Sequence, residues 1–273
     1  MVKILKKEEL APNVTRLRLV APRIAAKRKA GQFIILRVHD EGERLPFTIA
    51  NADSDAGWIE VIYQEVGAGT IELSKLGVGD YLSDLAGPLG KPTHIEKFGR
   101  ALCIGGGVGI APLYPIVSAL KAAGNDVTTI LGARSSEILI LEDEVDKVSN
   151  RLLIATDDGS QGHHGFVTDV FKQLLDKGEK FDFAIVIGPA IMMKITTGLT
   201  VAAGIKTFAS LNSIMVDGTG MCGSCRVTVG GETKFTCVDG PEFDASIIDW
   251  DEMLNRLGSF KEVEENHKCR IKD

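Results

Sequence analysis

Positive charge is in short supply: 31 Lys and Arg stand against 37 Asp and Glu, a net charge of −6 at pH 7. With that balance and no basic stripe, a nucleic-acid partner is not expected. The densest basic run, Lys27-Arg28-Lys29, reads as a solvated loop. Residues Met1-Val2-Lys3-Ile4-Leu5-Lys6-Lys7-Glu8 lack the apolar stretch of a secretory signal. A clean membrane span is missing too. Residues 101–120 run for twenty positions without a charge, the length a bilayer needs, but they include Gly105, Gly106, Gly107, Gly109, Pro112 and Pro115. Such a composition suits a strand, a turn and a helix start better than a lipid-exposed helix. There is no internal repeat. The expectation is a cytoplasmic protein with no membrane partner.

Glycine, by contrast, is abundant, with 30 residues where roughly 19 would be usual for this length. An excess of glycine marks places where backbone approaches something closely, phosphates among them. The five cysteines, without a secretory signal, point to a reducing compartment, where clustered thiols are metal ligands or redox groups more often than disulfides.

Residues 1–98 read as β-rich. Short β-branched or aromatic runs at Thr15–Val20, Gly31–Val38, Pro46–Ala50 and Trp58–Tyr63 are broken by Gly, Pro, Asn and Asp, the pattern of a small antiparallel barrel. From 99 to 211 the period changes. Apolar runs Ala101–Ile104, Val127–Leu131, Leu152–Ala155, Phe183–Ile187 and Thr207–Leu211 alternate with helix-like Leu113–Ala123, Glu142–Val148, Val167–Asp176 and Met192–Ala203. This alternation predicts a doubly wound α/β domain with a parallel sheet, binding its ligand beyond the carboxyl ends of the strands. Residues 212–240 are rich in glycine and cysteine with little periodicity, as a loop around a metal centre would be. Residues 241–273 form a polar tail in which Ile247, Ile248, Trp250, Met253, Leu254 and Leu257 could make one amphipathic helix that docks a partner.

Three cysteines fall within sixteen residues, in Asp217-Gly-Thr-Gly-Met-Cys222-Gly-Ser-Cys225 followed by Cys237. Plant-type [2Fe–2S] proteins use C-x4-C-x2-C and a distant cysteine. Here an aspartate, Asp217, occupies the first position. A zinc site completed by His267 and Cys269, a thioredoxin-like dithiol at Cys222 and Cys225, and plain packing cysteines are the alternatives. The spacing favours iron–sulfur, with Asp217 either a ligand or an ordinary loop aspartate.

The strand ending at Ile104 runs into Gly105-Gly106-Gly107-Val108-Gly109-Ile110-Ala111-Pro112. It departs from G-x-G-x-x-G but keeps the logic of glycines and a helix N-terminus around a pyrophosphate, with Pro112 suited to the first helical position. Arg134, Asp157-Asp158 and Gly188-Pro189 with Met192 fall at the ends of later strands. Arg134 could meet an NADP 2′-phosphate, whereas Asp157 and Asp158 would repel one. In the first domain, Arg44-Leu45-Pro46-Phe47-Thr48 offers a cation for a phosphate and a hydroxyl for a flavin edge. Gly67-Ala68-Gly69-Thr70 is a second candidate phosphate loop.

In this order the motifs resemble the ferredoxin–NADP reductase superfamily along essentially the whole chain. The resemblance implies FAD on Arg44, Leu45, Pro46, Phe47, Thr48, Val61, Ile62, Tyr63, Gly69 and Thr70. It implies NAD(H), rather than NADP(H), on Gly106, Gly107, Val108, Gly109, Ala111, Pro112, Arg134, Asp157, Asp158, Gly188, Pro189 and Met192. Ile187 stands where many members have a cysteine. The iron–sulfur loop narrows the likeness to the electron-transfer subunit of dihydroorotate dehydrogenase, which normally supplies four cysteines. Aspartate at 217 instead resembles the small (alpha) subunit of NADH-dependent ferredoxin:NADP oxidoreductase, also described as the sulfide dehydrogenase beta subunit. That family implies a [2Fe–2S] cluster on Asp217, Cys222, Cys225 and Cys237, a heterodimer with a larger iron–sulfur flavoprotein, and ferredoxin reached through that partner. Nicotinamide carries electrons in pairs and a cluster singly, so flavin is expected between them, in a cleft between barrel and sheet. No acid–base residue is expected.

Overall fold

The structure, a computed structural model, describes residues 1–259. The chain forms two compact units, the first from residues 1–91, 213–241 and 249 onward, the second from 92–212 and 242–248.

The first unit opens with strands β1 (Val2–Ala11) and β2 (Val14–Val20), helix α1 (Pro22–Ala25), strands β3 (Phe33–Arg37), β4 (Leu45–Asp53) and β5 (Trp58–Gln64), helix α2 (Ala68–Ser74), and strands β6 (Tyr81–Leu82) and β7 (Asp84–Leu89). The strand order is β6-β1-β2-β5-β4-β3-β7. β6 and β7 lie at opposite ends of that order yet only Ser83 separates them, so the sheet curls until its edges meet: a nearly closed barrel. Ile4, Leu17, Leu19, Ile34, Leu36, Ile49, Ile59 and Val61 fill it, none with measurable exposure. Each such side chain contributes about 1.5–3 kcal/mol relative to exposure. Local chemistry sets the turns. Between β4 and β5 the Asp53 carboxylate accepts from the amides of Asp55 and Ala56, an Asx turn. β1 was not expected as a strand. Only Ile4 and Ala11 of its ten residues are buried; Lys3, Lys6 and Glu9 are exposed, and Lys7 is half-buried, donating to the Ser74 and Leu76 carbonyls.

The second unit holds β8 (Arg100–Gly106), α3 (Ile110–Ala122), β9 (Asp126–Ala133), α4 (Glu142–Val148), β10 (Arg151–Thr156), β11 (His163–His164), α5 (Val167–Asp176), β12 (Phe183–Ile187), α6 (Ala190–Ala202) and β13 (Lys206–Ser210). β8, β9, β10, β12 and β13 pair in parallel. The chain then returns to the first unit for the hairpin β14 (Arg226–Val229) and β15 (Glu232–Phe235) and helix α7 (Thr236–Asp239). It adds β16 (Glu242–Asp244) antiparallel to β13 in the second unit, and closes the described part with α8 (Trp250–Leu257). The sheet order is β11-β10-β9-β8-β12-β13-β16. Successive strands step one way from β8 to β10, then jump back across β8 to β12. The switch lies between β8 and β12, where doubly wound sheets open a crevice. Among the described residues no helix is long and apolar enough to cross a membrane.

The expected barrel and parallel sheet are thus both present. Two local expectations need correction. Pro112 is the third residue of α3, not the first, because a 3-10 turn over Gly107–Gly109 leads into a helix that begins at Ile110. Its missing N–H still falls within the first turn, where helical donors have no partner. The region 212–240 is not wholly loop, since it contains the β14–β15 hairpin. The tail residues His267 and Cys269, and the part of the tail beyond Ser259, lie outside the described residues.

Candidate functional site

Three groups of side chains coincide with the sequence motifs. In the second unit, the glycine loop after β8 meets the loop after β12. A β-carbon on Gly109 would lie 2.7 Å from Cα of Gly188, and one on Gly106 would lie 2.3 Å from Met192 Sδ and 3.5 Å from Pro189 Cδ. The structure therefore brings Gly106, Gly109, Gly188, Pro189 and Met192 together at the topological switch. Gly107 differs: a β-carbon there would meet nothing within 4 Å, and neighbouring Val108 is 37% exposed. Open space over glycine backbone, ahead of the N-terminus of thirteen-residue α3, fits a pyrophosphate. Ala111 is buried in the first turn of that helix. Arg134, Asp157 and Asp158 cluster at the ends of β9 and β10, where the Asp157 amide donates to the Ala133 carbonyl and the Asp158 amide to the Arg134 carbonyl, both at 3.1 Å. Bonds from the Ser160 hydroxyl and amide hold the Asp158 carboxyl below its usual range.

In the first unit, Leu45, Pro46, Phe47 and Thr48 run along β4 opposite β3. The Phe47 and Tyr63 rings are 5.6 Å apart. Val61 and Tyr63 point into the barrel core and Ile62 is buried on the other side of β5; burial pushes the Tyr63 phenol up to about 12. The Thr70 hydroxyl accepts from the Val66 and Gly67 amides, closing the turn into α2. A β-carbon on Gly69 would lie 2.8 Å from Leu45 Cδ2 and 2.6 Å from Glu43 Oε2. The Gly69 amide donates to that Glu43 carboxylate at 3.2 Å. Glu43 was not foreseen, and nothing in its local sequence marks it.

The third group is the cysteine region. Gly230 and Gly231, with φ of 61° and 77°, make the two-residue turn that a twisted hairpin favours. Cys225 immediately precedes β14 and Cys237 follows β15. The hairpin thus folds a twelve-residue separation into a sulfur–sulfur distance of 3.2 Å, well beyond the ~2.05 Å of a disulfide. Both are buried, packed against Phe33 and Ile35 of β3. The Thr236 hydroxyl and amide donate to the Cys225 carbonyl and lock this arrangement. Burial, then the neighbouring Cys225, push the Cys237 thiol up to about 12. Cys222 is exposed, and hydrogen bonds from Ser224, then from the Asp217 amide, hold its thiol below the usual range. The Asp217 Oδ2 atom accepts from the Thr219 amide at 2.9 Å, the Thr219 hydroxyl, and the Met221 amide at 3.3 Å. These bonds lower its pKa. Thr219 and Ser224 were missed; the Asp-x-Thr sequence was the available signal.

From the barrel side, Arg44 does not stand free for a phosphate alone. Its Nε donates to the Val216 carbonyl and Nη2 to the Asp217 carbonyl, each at 3.1 Å. From the other side, α8 braces the hairpin. Glu252 accepts from the Thr228 amide, and Arg256 donates to the Ser224 carbonyl at 3.0 Å. The four donors are not gathered around one point. Two buried thiols side by side, with a third thiol and a carboxylate on the adjoining loop, fit an iron–sulfur group by donor chemistry.

Comparison with known proteins finds three matched segments. Residues 1–94 match the oxidoreductase FAD-binding domain, 103–198 the oxidoreductase NAD-binding domain, and 212–249 the iron–sulfur cluster binding domain of dihydroorotate dehydrogenase B. A Thermotoga maritima protein, named as a homolog of the dihydroorotate dehydrogenase B (NAD(+)) electron transfer subunit, is 48% identical over 96% of this chain and 92% of its own. A probable subunit of that kind from Methanocaldococcus jannaschii is 37% identical, covering 85% and 83%. A solved structure of the NADH-dependent reduced ferredoxin-NADP oxidoreductase, from work on flavin-based electron bifurcation, superposes with a TM-score of 0.94 at 45% identity, covering 100% of this chain and 98% of the other. Phthalate dioxygenase reductase shares the fold at 18% identity and a TM-score of 0.62.

Proposed function

The chain belongs to the family of dihydroorotate dehydrogenase B electron-transfer subunits and their homologues, and from that premise we propose the following role. It is an electron-transfer flavoprotein subunit that passes electrons between NAD(H), FAD and a [2Fe–2S] cluster within an electron-bifurcating NADH-dependent ferredoxin:NADP oxidoreductase. The observation that carries the reading is the donor set: an aspartate and three cysteines on a loop and hairpin braced by the flavin-type barrel. Likeness over the full length to the NADH-dependent reduced ferredoxin-NADP oxidoreductase supports it. The cytoplasm is the proposed compartment, and a larger iron–sulfur flavoprotein the proposed partner.

When bound, nicotinamide supplies a hydride, flavin relates electron pairs to single electrons, and an iron–sulfur cluster carries one at a time. The chain's own residues bind and position. Gly107 leaves open backbone ahead of α3 for a dinucleotide phosphate, while Gly106 gives room to Met192 and Gly109 to the Gly188 backbone. Residues of β4 and the α2 turn would hold the flavin. Cys225 and Cys237, with Cys222 and Asp217, would hold the irons. No side chain has to move a proton; placement supplies the catalysis.

Anaerobic purification with any bound partner tests this. FAD, iron and acid-labile sulfide in the preparation, and a reduced-cluster signal in electron paramagnetic resonance, are the expected result; zinc without iron or flavin sinks it. The family's own name favours a second reading, the electron-transfer subunit of an NAD-dependent dihydroorotate dehydrogenase. An FMN-containing barrel enzyme as copurifying partner would select it, whereas a large iron–sulfur flavoprotein selects the first.

A further inference from the structure

Arg44 opens the barrel's flavin-type motif, yet its guanidinium is directed at the backbone of the cysteine region, 172 and 173 positions away in sequence. The two bonds, each 3.1 Å, land on consecutive carbonyls, those of Val216 and Asp217. A planar guanidinium donating through Nε and Nη2 fixes both the position and the tilt of the peptide it grips, which a single point donor cannot do. The gripped peptide carries the Asp217 side chain. That side chain is set from its other end by the Thr219 hydroxyl and the Thr219 and Met221 amides, all on Oδ2. Held at both ends, the carboxylate has Oδ1 as the oxygen available to a metal.

We propose that Arg44 is a positioning residue for the iron–sulfur site: it fixes the Asp217 peptide, and with it the backbone from which the carboxylate would reach an iron. The inference rests on the proposed function and extends it, because it makes one residue of the flavin-type motif responsible for the geometry of the cluster's carboxylate side. Removing an outer partner that orients a ligand typically weakens metal holding by about 10- to 100-fold.

The test uses the full chain with its partner, reconstituted anaerobically with iron and sulfide in excess FAD. Wild type, Arg44→Ala, Asp217→Ala and the double variant are compared for FAD content, iron retained against a chelator, and g-values of the reduced cluster. The expected result for Arg44→Ala, with FAD replenished, is altered g-values and iron retention about 10- to 100-fold weaker. The double variant should be no worse than Asp217→Ala, since two residues acting as a unit are not additive. If Arg44→Ala loses FAD but keeps the wild-type signal and iron retention, or if the two substitutions add, the inference is overturned. Should Arg44→Ala fail to accumulate, Arg44→Lys replaces it. Lys keeps the charge without the fork, so a shifted signal supports the inference and a wild-type signal overturns it. Absence of iron from wild-type protein would instead refute the proposed function, so the two failures are distinct.

Discussion

A β-carbon on Gly109 would come 2.7 Å from Cα of Gly188 and 2.9 Å from the Ile187 carbonyl oxygen. Gly109 has an ordinary helical backbone, φ −62°. Gly218, in the cysteine region, sits at φ +82°, and its nearest neighbours are side-chain atoms, Ile35 Cγ1 at 2.7 Å and Leu89 Cδ1 at 3.2 Å. Both loops look alike as strings of glycine. In the nucleotide region glycine supplies space between two stretches of rigid backbone; in the cysteine region it supplies a backbone conformation that L-residues avoid, beside side chains that can adjust.

Four measurements test that contrast. The largest effect is expected at Gly109→Ala: about 3 kcal/mol lost in denaturant unfolding and NADH binding lost with it. Gly106→Ala, whose obstacle is the movable Met192 Sδ, should be largely rescued by adding Met192→Ala, while Gly109→Ala should not. Equal rescue would void the distinction. Next comes Gly218→Ala, costing about 1–2 kcal/mol for the left-handed backbone. It should reduce iron per chain while leaving NADH affinity unchanged; unchanged iron would show that the conformation is dispensable.

The third measurement separates the regions by pH. Glu242, on β16 of the second unit, accepts from the Thr93 hydroxyl, and burial raises its carboxyl to about 7. The native state therefore holds a proton that the unfolded chain releases near pH 4.5. That stabilisation is complete below about pH 4.5 and is lost as pH rises through about 7. Glu242→Gln should remove this dependence and raise stability at pH 8 by about 1–2 kcal/mol. That is less than the full 1.36 kcal/mol per pKa unit, because the side chain is only partly shielded from water. A pH profile unchanged by the substitution would count against the assignment. The smallest effect, with opposite sign, is at Gly198 inside α6, where a β-carbon would meet nothing within 4 Å. Gly198→Ala should stabilise by about 0.4–1 kcal/mol, and destabilisation there would mean that open space is not what decides these cases.

The sequence was most legible where pattern and packing agree. Glu142–Val148, Val167–Asp176 and Phe183–Ile187 are observed at the expected bounds, because a helix or strand covered by its own domain shows its period plainly. β1 was hidden because Lys3, Lys6, Lys7, Glu8 and Glu9 obscure the alternation of a mostly solvated strand. The β14–β15 hairpin carries a Val227-x-Val229 alternation and a Gly230-Gly231 turn, but its strands are only four residues each, too short to stand out among the flanking glycines and cysteines. The Arg44 contacts with Val216 and Asp217 have no local signature, since they join segments far apart in the chain.

The order in which the two units are threaded sets how the protein can be made and cut. The polypeptide passes between them four times, at 91–92, 212–213, 241–242 and 248–249. A nascent chain emerging from the ribosome has strands β1 to β7 by residue 91, yet the second unit is finished only at residue 248 and the first only once α8 has followed. Arrest or clipping at Gly240 would strip β16 from β13, exposing a sheet edge to other chains, and would remove the α8 brace from the hairpin at the same time. Fragments cut to isolate one unit should therefore be stitched from discontinuous pieces, and a knife placed at any single linker frees no intact half.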